Sequence, residues 1–168
     1  KIINFFPLIK NSTEKNLLSA AKAIMTTDTF SKTIIKKIKI GSQKIRIFGF
    51  AKGSGMICPN MGTMLAYIFI EAKIPKINLK KLLYSHLDDS FNSISVDGDT
   101  STSDTLMLFS LANQDEKQIV NQNDINKISL ALKDVMFKLA LQVVSDGEGI
   151  SKLMKITISG AKSYKQAS

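Results

Sequence analysis

Cysteine and histidine are nearly absent: the 168-residue chain has one of each, Cys58 and His86, and no tryptophan. A single cysteine excludes an internal disulfide and any CxxC metal site. With one histidine besides, no credible zinc constellation remains, and no metal is expected. The Ser-His-Asp and Cys-His arrangements also fall away unless the lone histidine is recruited. His86 lies in the string Leu82-Leu83-Tyr84-Ser85-His86-Leu87, an amphipathic helical pattern. There it reads as a boundary residue rather than a catalytic base. An enzyme built on this chain therefore needs a nucleophile whose base is not histidine.

Arginine is equally scarce. Net charge is +9 and the pI near 9.6, which raises nucleic-acid binding as a function. Of the 23 basic residues only Arg46 is arginine, whereas bidentate phosphate and guanine recognition favours arginine. The lysines are scattered, with short clusters at Lys36-Lys37 and Lys80-Lys81 and no interleaved aromatics. They read as a solvated surface, and no nucleic-acid partner is expected. No apolar run approaches the ~20 residues of a membrane helix, so no membrane partner is expected either. The apolar patch Ile2 to Ile9 lacks a charged leader and a small-residue cleavage site, so it does not read as a signal peptide. A chain opening on Lys1 rather than Met suggests a fragment.

What is present is a regular pattern of elements. Asn11-Ser12-Thr13-Glu14 resembles a capping box opening a helix, with Leu17, Leu18, Ala21 and Ile24 on one face, ending near Thr26-Thr27. Residues 33–40 and 44–51 flank Gly41-Ser42-Gln43 and read as a hairpin, with Ile38 and Ile40 facing Ile45 and Ile47. A strand is expected from Thr63 to about Ala72, then a helix around residues 78–91 with Leu79, Leu82, Leu83 and Leu87 as its buried stripe. Residues 105–111 form a second apolar strand. The best-supported element is a helix from about Asp124 to Ser145, where Ile125, Ile128, Leu132, Val135, Met136, Leu139 and Val143 hold helical spacing. Gly147 sits where a C-terminal cap belongs. Residues 152–159 alternate as a closing strand. The mixture predicts an α/β or α+β layered sandwich, its sheets flanked by helices.

The chemistry concentrates in Lys52-Gly-Ser-Gly-Met-Ile-Cys-Pro-Asn-Met-Gly-Thr-Met, residues 52–64. A glycine-loosened loop ends at Gly62-Thr63 and turns at once into an apolar strand. Thr63 Oγ can attack the Gly62 carbonyl, and Gly62 lets the backbone bend toward that attack without a Cβ clash. Hydrolysis of the resulting ester frees the Thr63 amine, whose ordinary pKa near ~8 suits it to serve as base for its own hydroxyl. The same two residues also read as a plain turn and strand start. Elsewhere, Asp97-Gly-Asp-Thr-Ser-Thr-Ser-Asp104 fails as a calcium loop, because Thr102 stands where glycine is needed and Leu108 where the bidentate Glu belongs. It reads as a turn rich in side-chain-to-backbone hydrogen bonds. There is no GxxxxGK[ST] string, and Gly53-Ser54-Gly55 is too short for a dinucleotide fingerprint.

Four ordered strings resemble one family. They are Ala23-Ile-Met-Thr-Thr-Asp-Thr29, the stretch Lys52-Gly-Ser-Gly-Met-Ile57 with Pro59-Asn-Met-Gly-Thr-Met-Leu-Ala66, Ser95-Val-Asp-Gly-Asp-Thr-Ser-Thr102, and Asp146-Gly-Glu-Gly149. Together they are similar to the bifunctional ornithine acetyltransferase / N-acetylglutamate synthase family of arginine biosynthesis. The resemblance implies an N-terminal-nucleophile-like fold and cytoplasmic localisation, with cleavage at Gly62-Thr63. Residues 1–62 would then be the C-terminal part of an α segment and residues 63–168 the N-terminal part of a β segment, the two forming one layered unit. Thr63 would be the catalytic nucleophile. Thr29, Lys52, Thr63 and Glu148 would bind substrate: Lys52 a carboxylate, Glu148 the amine of ornithine, and Thr29 through a hydrogen bond.

The implied reaction moves acetyl from N-acetylornithine to glutamate through an acetyl ester on Thr63. No resident cofactor is implied, although some members of the family accept acetyl-CoA as donor. The implied assembly is α2β2. The family's oxyanion-hole Thr-Gly pair lies upstream of this sequence, and its C-terminal Asn and Thr contacts lie beyond Ser168, so the chain covers the middle of the family's length. Gly62 stands where Ala is frequent in the family, and Cys58 where other residues occur. Two other readings stand beside this one. An N-terminal-threonine amidohydrolase or aminopeptidase would give the acyl group to water, and a non-catalytic binding fragment would use Thr63 only structurally.

Overall fold

A computed structural model describes residues 14–57, 64–99, 101–112, 116–163 and 166. Helix α1 (Glu14–Ala23) leads into a hairpin of β1 (Lys32–Ile40) and β2 (Gln43–Lys52). Then follow β3 (Leu65–Ile70), α2 (Lys76–Leu87), a single 3₁₀ turn (Phe91–Ser93), β4 (Thr105–Ser110) and the long α3 (Gln122–Val144). The capping-box residues 11–13, Cys58 and the Gly62-Thr63 pair lie outside the described residues.

The four strands form one sheet in the order β1-β2-β3-β4. The hairpin closes through Gly41-Ser42, with Gly41 at φ +58°, a backbone conformation glycine adopts without steric cost. Ile38 stands opposite Ile45, as alternation predicts, while Ile40 pairs with Gln43 at the turn. β2 and β3 are antiparallel, but β3 and β4 are parallel. A parallel pair needs a crossover, and α2 with the 3₁₀ turn supplies it.

One sheet face carries Ile45, Ile47, Ile68 and Ile70, none more than 1% exposed. The apolar stripe of α3 covers it: Ile125, Ile128, Leu132, Val135, Met136, Leu139 and Val143 are all buried. Gly49 makes close approach possible, because a Cβ there would stand 2.9 Å from Tyr67 O and 3.0 Å from Leu139 Cδ1. The opposite face bears stacked rings, Phe48 against Phe69 at 5.2 Å and Phe69 against Phe109 at 5.0 Å. α1 packs on the β1–β2 part of that second face, its Glu14 Oε1 3.6 Å from Lys37 Nζ.

Helix α2 buries Leu82, with Leu79, Leu83 and Leu87 packed against the core, so the expected stripe is present on a helix that starts and ends earlier than residues 78–91. His86 is buried in it, its Nε2 2.8 Å from Ser129 Oγ on α3. Burial holds the imidazole below its ordinary pKa, and Lys133 adds to that effect. His86 joins two helices and lies outside the polar end described below.

Two expectations are corrected. Residues 152–159 alternate in hydropathy, yet they form no strand and are exposed, with Ile156 at 80%. Alternation supplies a face, but a strand also needs a partner edge, and none of the described strands pairs with this stretch. Gly147 does not cap α3 in a left-handed conformation. The helix ends at Ser145, whose N–H donates to Leu141 O. Gly147 is instead a packing position: a Cβ would lie 2.7 Å from Val96 Cγ1 and 2.7 Å from Ile150 Cγ2.

Candidate active site

Strand polarity brings the quoted motifs to one end of the sheet. Lys32 at the start of β1 pairs with Ala51, Lys52 at the end of β2 pairs with Leu65, and Leu65 pairs with Thr105. The loops before β1, after β2 and before β4 therefore share that edge. The end of α3 arrives there too, since Gln142 Nε2 donates to Thr33 O at 3.1 Å.

A buried ion cluster ties together the loops before β1, after β2 and after α3. Lys32, fully buried, places Nζ 2.5 Å from Asp28 Oδ1 and 2.5 Å from Asp146 Oδ2. Charged groups removed from water require this kind of pairing. Each carboxylate also gathers backbone donors. Asp28 accepts Gly53 N–H at 2.8 Å and Thr26 N–H at 3.2 Å. Asp146 accepts Thr29 N–H at 2.9 Å and the Thr29 hydroxyl. Burial alone would raise the pKa of both carboxyls. For Asp28 the Gly53 N–H, the Lys32 ammonium and the Thr26 N–H outweigh it, and the group stays below the usual carboxylate value. For Asp146 the Lys32 ammonium and the Thr29 donors do the same. Both remain ionised at neutral pH.

Further contacts close the cluster. Thr27 Oγ1 and Ser54 Oγ are 2.6 Å apart, and Glu148 N–H donates to Ser54 O at 2.6 Å. Lys52 Nζ donates to Thr26 Oγ1 at 3.2 Å. Gly55 lets carboxylates crowd in, because a Cβ there would stand 3.3 Å from Glu148 Cδ and 3.6 Å from Asp97 Oδ2. The 97–99 segment is a hydrogen-bonded turn, with Asp97 accepting Met56, Ile57 and Asp99 N–H groups.

Of the residues singled out from sequence, Thr29 and Glu148 lie on the linked loops before β1 and after α3, and Lys52 ends β2 beside them. Thr29 is exposed with its hydroxyl committed to Asp146, Lys52 is half-buried, and Glu148 is exposed. Gly62 and Thr63 fall outside the described residues, and their neighbour Met64 is buried with its N–H 2.5 Å from Asp104 Oδ1. Sequence reasoning missed the roles of Asp28, Lys32, Asp104 and Asp146. Asp28 and Asp146 sat inside the quoted strings but were assigned no role there. Lys32 had only a weak local signal, an opposite charge at Asp28 four residues before it, and its second partner, Asp146, is remote in sequence. Among the described residues no group of three or more His, Cys, Asp or Glu could hold a metal ion. No described helix is long and apolar enough to cross a membrane.

The helix-flanked sheet has a counterpart in a structure of the N-terminal-nucleophile hydrolase fold. Among solved structures, the L-aminopeptidase D-Ala-esterase/amidase of Ochrobactrum anthropi, described as a variant of that fold, is similar at TM-score 0.51 and 14% identity. The match covers 72% of this chain and 42% of that one, and it shows the fold alone. The sequence pattern of the ArgJ family matches residues 1–168, and the chain belongs to that family. The arginine biosynthesis bifunctional protein ArgJ of Gluconobacter oxydans is 49% identical over 99% of this chain. Its counterparts are 46% identical over 89% in Bradyrhizobium diazoefficiens and 44% over 95% in Bartonella henselae. The chain spans about 40% of the length of these relatives.

Proposed function

We propose that the complete protein is a self-cleaving, N-terminal-threonine acetyltransferase that moves acetyl from N-acetylornithine to glutamate. The observation that carries this reading is the joining of three motif loops by the Lys32 ion cluster, in a member of the ArgJ family. In the maturation step Thr63 Oγ bonds to the Gly62 carbonyl carbon and the Gly62–Thr63 C–N bond breaks. The hydroxyl proton passes to the leaving nitrogen. Water then hydrolyses the ester, leaving a Gly62 carboxylate and a free Thr63 amine.

In turnover that amine takes the Thr63 hydroxyl proton as Oγ attacks the acetyl carbonyl of N-acetylornithine. Ornithine departs with a proton on its amine, and acetyl remains as an ester on Thr63. The glutamate amine then attacks the ester and regenerates the hydroxyl. Lys52 offers a cation to a substrate carboxylate. Glu148 offers a carboxylate to the ornithine ammonium. Thr29 spends its one hydroxyl proton on Asp146, so toward substrate it presents lone pairs, which suits it to accept an amide N–H. Acetyl-CoA as an alternative donor, α2β2 assembly and cytoplasmic localisation complete the reading.

Denaturing mass analysis of the active complete protein tests it. The expected result is a segment beginning at Thr63 and an acetyl adduct on that segment after exposure to N-acetylornithine. An unbroken active chain would refute the reading. Acetyl released to water but never to glutamate would favour an amidohydrolase on the same fold.

A further inference from the structure

Met56, Ile57 and Met64 flank residues 58–63, the stretch that carries Gly62-Thr63, and a single segment grips both flanks. On the near side, Asp97 Oδ2 accepts Met56 N–H at 2.6 Å and Oδ1 accepts Ile57 N–H at 3.1 Å. Ile57 O in turn accepts Val96 N–H at 2.8 Å and the Ser95 hydroxyl at 3.1 Å. On the far side, Asp104 Oδ1 accepts Met64 N–H at 2.5 Å, and Met64 O accepts Thr105 N–H at 2.9 Å. Both backbone polar groups of Ile57 and of Met64 are thus held by residues 95–105. Met56 stands at φ +51°, a conformation a side chain adopts at a cost, and the Asp97 contact holds it there. The N–H of Met64 belongs to the peptide bond made by the Thr63 carbonyl, so Asp104 holds the chain at the residue that follows the proposed nucleophile.

We propose that residues 95–99 and 101–105 form a clamp for maturation, in which Asp97 and Asp104 are positioning residues that hold the chain on either side of 58–63 for the attack on Gly62. The inference rests on the cleavage reading given above. The clamp adds no reactant, since the Oγ–carbonyl bond forms, the Gly62–Thr63 C–N bond breaks and the proton moves from Oγ to nitrogen within the chain. The two carboxylates differ once the cut is made. Asp97 holds the segment that ends at Gly62 and no longer constrains Thr63. Asp104 holds the segment that begins at Thr63 and goes on constraining it during turnover.

Pulse-chase of the complete protein in cell-free translation, resolved on denaturing gels, tests the clamp with Thr63→Ala as the uncut control. Asp97→Ala and Asp104→Ala should each slow the cut at least about tenfold, as loss of charge-assisted hydrogen bonds implies. Asp104→Asn keeps an acceptor oxygen for Met64 N–H and should recover most of the rate. Asp97→Asn keeps one oxygen of two and should recover only part. After a chase long enough to complete maturation, Asp97→Ala should recover a larger share of acetyl transfer than Asp104→Ala, because only Asp104 holds the segment that begins at Thr63. Cleavage of both alanine variants at the wild-type rate would overturn the clamp. So would losses of cleavage, transfer and melting temperature that run in parallel, because a merely structural lesion lowers all three together. Where an alanine variant yields no soluble protein, its isosteric asparagine variant carries the test. Cleavage of Thr63→Ala itself would instead refute the underlying reading.

Discussion

The middle of the sheet and its loop-bearing end are stabilised by different physics. Under α3, many side chains each contribute a share of buried apolar area, and Leu132, Val135, Met136 and Leu139 have no exposure at all. At the loop end, a single buried ammonium joins two carboxylates from loops far apart in sequence, and directional bonds from Gly53, Thr26 and Thr29 fix the rest. Apolar burial is distributed and tolerant, because neighbours relax around a loss. The ion cluster is concentrated, because removing its one cation leaves two anions out of water. Stability and function should therefore separate in the first region and fall together in the second.

Lys32→Met breaks that comparison hardest. It leaves Asp28 and Asp146 buried without their cation, and losing one partner of a buried pair typically costs about 3–5 kcal/mol. Chemical denaturation should show that loss, and the acetyl transfer proposed for the complete protein should fall further than stability explains, because Thr29 loses its fixed partner. Adding Asp28→Asn and Asp146→Asn should recover much of the stability, since the neutral amides still accept backbone donors. A triple variant no more stable than Lys32→Met would show that charge is not what the cluster balances.

Leu132→Ala tests the distributed region. Truncating a fully buried leucine costs about 2–5 kcal/mol, and a site under a single helix has room to relax, which favours the lower half of that range. The expected signature is a lower denaturation midpoint with unchanged KM. A change in KM equal to that of Lys32→Met would erase the distinction between the two regions.

Legibility in the sequence followed the same division. The stripe of α3 was written in seven apolar residues at helical spacing, and all seven are buried. The β1–β2 hairpin was legible because alternation and Gly41 agree, and one local turn sets its register. The ladder of Phe48, Phe69 and Phe109 was not legible, because it depends on which strands become neighbours. Residues 152–159 show the same limit from the other side: a two-residue period names a face but supplies no partner edge. The motif strings pointed to Thr29, Lys52 and Glu148, which stand on the loops before β1 and after α3 and at the end of β2. What joins those loops stayed hidden, because the Asp28 spacing of four does not reveal that the same lysine also pairs with an aspartate 114 positions away.

Acid should expose the loop end by a gentler route. The pKa values of Asp28 and Asp146 are lowered in the folded chain from an ordinary value of 3.8. A carboxyl with a depressed folded pKa stabilises the fold fully above its unfolded value, and that contribution is lost as pH falls through the folded value. Stability should thus hold down to about pH 4 and drop progressively below it. In Lys32→Met the depression loses a principal cause, so the acid-dependent drop should shrink. Denaturation midpoints measured from pH 6 to about pH 3 check this. An equal slope in the variant would assign the acid sensitivity to other carboxylates.

Asp89→Asn should have the smallest effect, and it isolates burial as the variable. Lys133 Nζ lies 2.7 Å from Asp89 Oδ2, almost as close as Lys32 lies to its partners, but both side chains are about half exposed. Water already solvates both charges there, so removing one costs little, typically within about 1 kcal/mol, and added salt weakens the pair further. One secondary effect has a definite sign. Burial and then Lys133 lower the His86 pKa from 6.5, while Asp89 opposes them. A histidine with a depressed folded pKa stabilises the fold above its unfolded value and loses that contribution as pH falls below 6.5 toward the folded value. Without the Asp89 charge the depression deepens, so Asp89→Asn should lose slightly more stability than wild type on moving from pH 7.5 to about pH 5.5. If Asp89→Asn proved as costly at neutral pH as Lys32→Met, proximity rather than burial would govern these ion pairs, and the contrast between the two ends of the molecule would lose its physical basis.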